Sequence, residues 1–334
     1  MAYQGEHTIQ LPLLKSIQKF PGGLMTVFFL LGSMVTTWAP GFLHIGGFTT
    51  GLFKEGALPM IGLVLLCCGA QISLRRSGAA LYKGAFLTAV KVLLGLGTGY
   101  IYALLLAGRE SVFSIHPVTL IIALSCGNGG LYLALSERYG NSEDTAAGAV
   151  VMLTASPFFI FIGMGSGGMA DIGALDIAAS IAPVLIGMVI GNLDRDFREF
   201  LAPGIKLSIP FFAFALGANI PLGDILIAGP QGALLALLTL LITGLLPVGL
   251  YRAGIPKRWR SSSSIAAGIG NTAGSAAVIP ALIAQIDPSY APFAVLATAQ
   301  VGSSAVITAV LSPLLFRWLY GKETAGVSFG EESV

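Results

Sequence analysis

Charge is what this sequence has least of. Asp, Glu, Lys and Arg together make up 10% of its 334 residues, against roughly a quarter in an ordinary soluble domain. A chain of this length in water needs far more charge to cover its surface. Histidine occurs three times, at His7, His44 and His116, scattered at loops and edges. Cysteine is as rare: Cys67, Cys68 and Cys126 lie within apolar runs without metal-ligand spacing, and read as small packing residues. No carboxylate falls deep inside an apolar run. Intramembrane hydrolysis needs a serine–histidine or serine–lysine pair, paired aspartates or a His-Glu-x-x-His zinc site. Only Lys91 with a serine survives that test, so the chain reads as a non-enzyme with no cofactor and no metal.

What is present is apolar. Hydrophobic residues make up 55% of the chain and glycine contributes 44 residues. In lipid, small residues let helix backbones approach closely. The apolar runs, each near or above the roughly 20 residues that cross a bilayer, predict ten spans. They cover residues 24–40, 56–74, 80–107, 117–138, 145–166, 174–193, 205–222, 231–253, 262–285 and 291–319. Residues 1–23 form an N-terminal segment and 321–334 a tail. The mostly polar start, ended by Pro21-Gly22-Gly23, lacks the apolar core of a cleaved export signal.

The cations test this map independently. With the N-terminus in the cytoplasm, Lys15, Lys19, Arg75, Arg76, Lys83, Arg138, Arg195, Arg198, Lys206, Arg252, Lys257, Arg258, Arg260, Arg317 and Lys322 fall on one side. That is fifteen of eighteen; Lys54 and Arg109 fall opposite, and Lys91 lies within a span. Short loops biased in this way are cytoplasmic, so both termini are expected there. The basic loop after span 8 is explained by orientation and implies no nucleic acid. No obligate protein partner is evident; the lipid bilayer is the expected surrounding.

An internal repeat points to the site. Gly69-Ala70-Gln71-Ile72-Ser73-Leu74 ends span 2 and Gly217-Ala218-Asn219-Ile220-Pro221-Leu222 ends span 7. Five spans separate them, so residues 24–166 and 174–320 read as two five-helix repeats of opposite orientation. Span 4 carries Ser125-Cys126-Gly127-Asn128-Gly129-Gly130 and span 9 carries Gly268-Ile269-Gly270-Asn271-Thr272-Ala273-Gly274-Ser275. Both are the fourth span of their half, and both centre on Gly-Asn. Such clusters break a helix and free backbone groups, tolerable in hydrocarbon only where they face protein, ligand or a wet cavity. Paired broken helices in inverted halves mark a substrate and ion site near the midplane. The fold class expected is therefore an all-α membrane protein of ten transmembrane helices in two inverted repeats, with discontinuous crossing helices 4 and 9.

The candidate substrate-binding residues are Asn128, Gly129, Asn271 and Thr272 at the breaks, with Gln71, Asn219 and Lys91. Gln71 and Asn219 either line the cavity or cap a helix end. Lys91 either meets a substrate carboxylate or a coupling ion, or snorkels to the interface some 12 Å away. Gln300, Ser303 and Ser304 of span 10 face the span-9 break or bond between helices.

The residues Ile17 to Gly23, Asn128-Gly129-Gly130-Leu131-Tyr132, Gly191-Asn192-Leu193-Asp194, Arg198-Glu199-Phe200 and Ile209 to Gly217 resemble the bacterial 2-keto-3-deoxygluconate permeases. The resemblance runs along nearly the whole chain. It implies a ten-helix fold of the bile-acid-symporter type with a panel, a core and crossing broken helices. It also implies proton-coupled uptake of an anionic keto-deoxy sugar acid across the bacterial inner membrane. The chain departs from that family where acidic residues can precede the Asn-Gly-Gly and occupy span 5: here stand Ser125 and Thr154-Ala155-Ser156. H+ is the expected coupling ion, through Glu55, Asp194 or the substrate's own carboxylate. Na+ held by oxygens, with Ser125, Thr154 and Gln300 as candidates, is the alternative, as are another small carboxylate as cargo, and a channel.

Two further matches carry no chemistry. Gly163 to Gly168 fits Gly-x-Gly-x-x-Gly without a βαβ unit around it. Gly321-Lys322 lacks the rest of a phosphate loop, which leaves ATP-driven transport unsupported.

Overall fold

The computed structural model describes residues 12–18, 23–73 and 78–331. Secondary structure among them is helical apart from one isolated bridge between Val112 and Ile115. In chain order the helices are α1 (Leu13–Gln18), α2 (Gly23–Trp38), α3 (Gly47–Phe53), α4 (Ala57–Gln71) and α5 (Gly78–Leu105). There follow α6 (Pro117–Ser125), α7 (Gly129–Tyr139), α8 (Ser142–Val151), α9 (Phe158–Ser166), α10 (Ala174–Leu193) and α11 (Arg195–Gly217). The last are α12 (Leu222–Leu238), α13 (Leu246–Gly254), α14 (Ile279–Ile286) and α15 (Ala291–Glu331). A π-helical segment, Thr239–Leu245, joins α12 to α13. Short 3-10 turns at Ser263–Ile269 and Gly274–Val278 lead into α14.

Seven helices among the described residues, counting α6 with α7, α12 with α13, and the run from Ser263 to Ile286 as one each, are long and apolar enough to cross a membrane. The pairs α3–α4 and α8–α9, bent by 60° and 53°, raise the number to nine, and α2 adds a shorter apolar helix.

Several boundaries differ from the sequence reading, among them α12, which begins at Leu222, nine residues before the predicted span 8. Helix α11 begins at Arg195, ten residues before the predicted span 7, because the Asp194 side chain caps it by accepting from Asp196 N at 2.8 Å. Helix α8 starts at Ser142, before the predicted span 5, on an Asn141–Asp144 capping box. Helix α15 continues to Glu331, through most of the predicted tail. Arg75, Arg76 and Leu74 lie outside the described residues.

Lys83, read as a loop cation, is instead wholly buried in α5. Its Nζ donates to Asp144 Oδ1 at 2.8 Å and to Asn141 Oδ1 at 3.2 Å. Asp144, also fully buried, accepts from Tyr251 Oη at 3.0 Å and Ser261 Oγ at 2.5 Å. Removing both charges from water is tolerable only because every partner is satisfied. The cluster ties α5, α8, α13 and the loop after α13 into one unit.

Two bundles result. Helices α2, α4, α10 and α11 pack on one another, while α5 packs on α6 and α8, and α12 packs on α15. In the first bundle glycines bring backbones into contact. A Cβ at Gly69 of α4 would stand 2.1 Å from Val184 O of α10, and one at Gly217 of α11 would stand 1.9 Å from Phe29 O of α2. Conversely, a Cβ at Gly187 of α10 would meet Leu66 O of α4 at 1.9 Å, and one at Gly32 of α2 would meet Phe214 O of α11 at 2.1 Å. The spacings agree: Leu66 precedes Gly69 as Phe214 precedes Gly217, and Val184 precedes Gly187 as Phe29 precedes Gly32. The α10–α4 contact thus repeats the α2–α11 contact.

Candidate functional site

The two Gly-Asn segments that interrupt spans 4 and 9 meet. Between α6 and α7 the chain is extended at Cys126 and Asn128. Between the two 3-10 turns it runs irregularly from Gly270 to Ala273. Ala273 N donates to Cys126 O at 3.0 Å, and Asn128 N donates to Asn271 Oδ1 at 2.5 Å. Each break therefore satisfies backbone groups that the other leaves free, which removes a penalty of several kcal/mol per group in hydrocarbon. The Asn128 side chain caps α7, accepting from Gly130 N at 3.1 Å and Leu131 N at 3.3 Å. Asn271 Nδ2 donates to Gly268 O at 2.8 Å.

Around this crossing stands a ring of hydroxyls. Thr272 Oγ1 donates to Ala123 O at 3.0 Å, a carbonyl at the broken end of α6, and lies 2.9 Å from Ser304 Oγ of α15. Thr272 N donates to Thr308 Oγ1 at 2.9 Å. Thr154, in the turn after α8, accepts at its carbonyl from Gly127 N at 3.2 Å, and its hydroxyl donates to Val151 O at 2.7 Å. Ser125 Oγ is buried without a hydrogen-bond partner among the described residues.

Lys91 lies behind the crossing and is fully buried. Its Nζ donates to Ile269 O at 2.8 Å, to Asn271 O at 2.9 Å and to Thr243 Oγ1 at 3.4 Å. The side chain reaches them across Gly127, where a Cβ would stand 2.6 Å from Lys91 Cε. The amine turns to the break, so the snorkelling alternative is corrected. Thr243 sits in the π-helical segment. Pro247, four residues on, has no N–H to return to the Thr243 carbonyl, and π turns commonly absorb such a fault.

The structure brings together Asn128, Gly129, Asn271, Thr272, Lys91, Ser125 and Thr154. Three other candidates lie elsewhere. Gln71 Nε2 donates to Arg198 O at 3.0 Å, and Asn219 Nδ2 to Ala215 O at 2.8 Å and Lys54 O at 2.9 Å. Both therefore tie helix ends within the first bundle. Gln300 Nε2 donates to Ser114 O at 2.8 Å, bracing the loop before α6. Glu55 and Asp194 are exposed. Ser304 does face the span-9 break. Thr243 and Thr308 join the site without having been singled out. The signals that locate them are Thr239-x-x-x-Thr243-x-x-x-Pro247 and Ser304-x-x-x-Thr308, polar groups one helical turn apart on a single face.

Asn128, Gly130 and Ser275 keep part of their surface open, so the start of α7 is accessible from outside the ring. Helix N-termini of this kind attract anions.

Residues 14–325 match the family described as 2-keto-3-deoxygluconate permease. The chain belongs to that family. It is 42% identical over 315 residues to 2-keto-3-deoxygluconate permease 1 of Salmonella typhimurium, covering 94% of this chain and 97% of the relative. It is 36% identical over 307 residues to the 2-keto-3-deoxygluconate permease of Xanthomonas axonopodis pv. citri, with 90% and 94% covered. With that of Bacillus subtilis the identity is 32% over 310 residues, with 91% and 92% covered. This permease is thus a multi-pass membrane transporter and not an enzyme.

Proposed function

We propose that this permease carries 2-keto-3-deoxygluconate into the cell by alternating access, driven by the proton gradient across the bacterial inner membrane. The observation that carries the reading is the mutual hydrogen bonding of the two broken helices at Asn128 and Asn271. Broken helices that cross in this way mark the substrate position in transporters built from inverted repeats. The names of the relatives supply the cargo.

In this reading the ten spans form two inverted five-helix repeats. The duplicated glycine contacts of α2–α11 and α10–α4 support the repeat. Helices α2, α4, α10 and α11 act as the panel, and the rest as a core that the Lys83–Asp144 cluster holds rigid. The substrate carboxylate rests at the start of α7, with Asn128 and the neighbouring backbone N–H groups as partners, and the sugar hydroxyls meet Ser275 and the Asn271 side of the crossing. Rocking the core against the panel exposes that position to either side in turn. The cation bias of the loops supports cytoplasmic termini.

The test is uptake of radiolabelled 2-keto-3-deoxygluconate into proteoliposomes, with proton and sodium gradients imposed separately. Accumulation on the proton gradient alone is expected. Accumulation on sodium alone overturns the coupling, and no uptake by folded, inserted protein overturns the cargo.

A further inference from the structure

A lysine with all three donors on oxygen, wholly buried at a helix break, is an unusual occupant of a membrane protein interior. None of the ion pairs among the described residues includes Lys91. Two of its three acceptors are main-chain carbonyls at the break in span 9, of which Ile269 O also accepts from Asn271 N at 2.8 Å, and the third is a hydroxyl on the π-helical segment. Carbonyls and a hydroxyl converging on one point are the ligand set of a small monovalent cation. An unpaired charge there is expensive to keep and is a functional position by default.

We propose that this oxygen cage is the cation site of the transport cycle and that the Lys91 amine is its built-in occupant, binding and releasing the coupled proton. The proposal rests on the transport reading above. In the step, the ammonium loses one proton to water on whichever side the site is open and becomes a neutral amine; the reverse step takes one up. Both forms fit the cage. The neutral amine keeps two N–H groups for Ile269 O and Asn271 O. Its lone pair faces the Thr243 hydroxyl, which now donates to Thr239 O at 2.9 Å and needs only to rotate to donate to nitrogen instead. The change of charge therefore costs one long contact and leaves no buried donor orphaned.

The groups around the amine leave Lys91 as the titrating one. From the α6–α7 break the Cys126 thiol is its electrostatic neighbour. Thr154 and Thr243, from the turn after α8 and the π segment, carry no charge. On α5 itself Lys83 is paired with Asp144 and, at 3.5 Å, with Glu143, and Asp144 interacts with Tyr251 and Tyr132 in a separate cluster. Because the cage already holds a cation, the cycle has no need of sodium.

The experiment measures substrate exchange and pH-driven accumulation by wild-type protein and by Lys91→Met, Thr243→Val and Cys126→Ser in proteoliposomes. Failure of the wild type to exchange substrate at all sinks the transport reading and is thereby separated from the present proposal. With the wild type active, replacing sodium by potassium is expected to leave accumulation unchanged; a sodium requirement overturns the proposal. Lys91→Met is expected to lose pH-driven accumulation, and whatever exchange it retains is expected to ignore pH. Accumulation at the wild-type level overturns the proposal. Should Lys91→Met fail to fold, Thr243→Val decides, since it keeps the lysine and removes a hydroxyl that serves both forms but holds the charged one more strongly, a hydrogen bond to a charged group outweighing one between neutral groups. Its alkaline limb of uptake against pH is expected to move to lower pH by about half a unit or more. An unmoved limb overturns the proposal, as does a Cys126→Ser profile that shifts as far.

Discussion

The main-chain N–H of Asn128 donates to the side-chain oxygen of Asn271 at 2.5 Å, so one broken helix is held by the amide of the other. Asn271 also donates to Gly268 O from its nitrogen, and an amide is the side chain that supplies both roles at once. Asn271→Ala leaves the part-buried N–H of Asn128 without its acceptor, at a cost of about 1 kcal/mol. Uptake is expected to fall to background while the protein still inserts and elutes as a single species. Asn271→Asp keeps the acceptor and loses the donor, and should retain more uptake than alanine. Equal uptake by wild type and alanine variant excludes this role for the crossing.

The Lys83–Asp144 pair sets a different kind of expectation. Asp144→Ala leaves the fully buried Lys83 ammonium with only Asn141 Oδ1 and the more distant, partly exposed Glu143 Oε2 at 3.5 Å, and breaking a buried pair in this way typically costs up to about 3–5 kcal/mol. The variant should lose most of its thermal stability in detergent, measured by the midpoint of unfolding. Lys83→Met combined with Asp144→Leu removes both charges and should recover much of the loss. Tyr251→Phe removes one hydrogen bond and should cost about 1 kcal/mol. A double variant no more stable than Asp144→Ala excludes the pair as the reason.

How much of this was legible in the residues follows from what each signal depends on. Gly127-Asn128 and Gly270-Asn271 announce breaks because neither residue type sits comfortably inside an apolar helix. That Lys91 lies within a span is equally plain. The direction of its side chain is not, because it depends on the missing Cβ of Gly127 in the break between α6 and α7. Gln71 and Asn219 stand at repeated positions, but the repeat marks shared packing as readily as a shared site, and they serve helix ends. Thr243 escapes because it lies in a π segment, which the apolar pattern of a span does not announce. Asp144 hides at the edge of an apolar run, where a capping aspartate and a buried one look alike until Lys83 and Tyr251 arrive from distant spans.

The duplicated glycine contacts make a prediction in pairs. Gly69→Ala and Gly217→Ala each drive a methyl into a main-chain carbonyl, of Val184 and Phe29 respectively. Neither neighbour can turn aside as a side chain would, so the helices must separate. Overpacking of this kind costs about 1–3 kcal/mol, and two sites with matching close contacts should lose similar amounts. Gly62→Ala and Gly97→Ala meet nothing within 4 Å and serve as controls. Unfolding midpoints of the four variants provide the comparison. A large loss at only one of the first two argues that the two interfaces are not equivalent.

His116 gives the permease a pH dependence at the start of α6. Its Nδ1 accepts from Val118 N at 3.2 Å, while its ring stacks on Phe293 at 4.7 Å and meets Tyr290 edge-on at 5.4 Å. Accepting at Nδ1 requires that nitrogen to be unprotonated, and burial lowers the imidazole from its ordinary 6.5, with Glu110 opposing the shift. A histidine lowered in the folded state favours its neutral form there. Its contribution to stability is therefore complete above pH 6.5 and is lost as the pH falls through the lower, folded value. The helix cap goes with it, since the imidazolium can no longer accept from Val118. The unfolding midpoint of the wild type is expected to drop between neutral and mildly acidic buffer. His116→Asn keeps a capping oxygen that does not titrate, so part of that drop should disappear. An identical drop in both proteins assigns the acid sensitivity to another group.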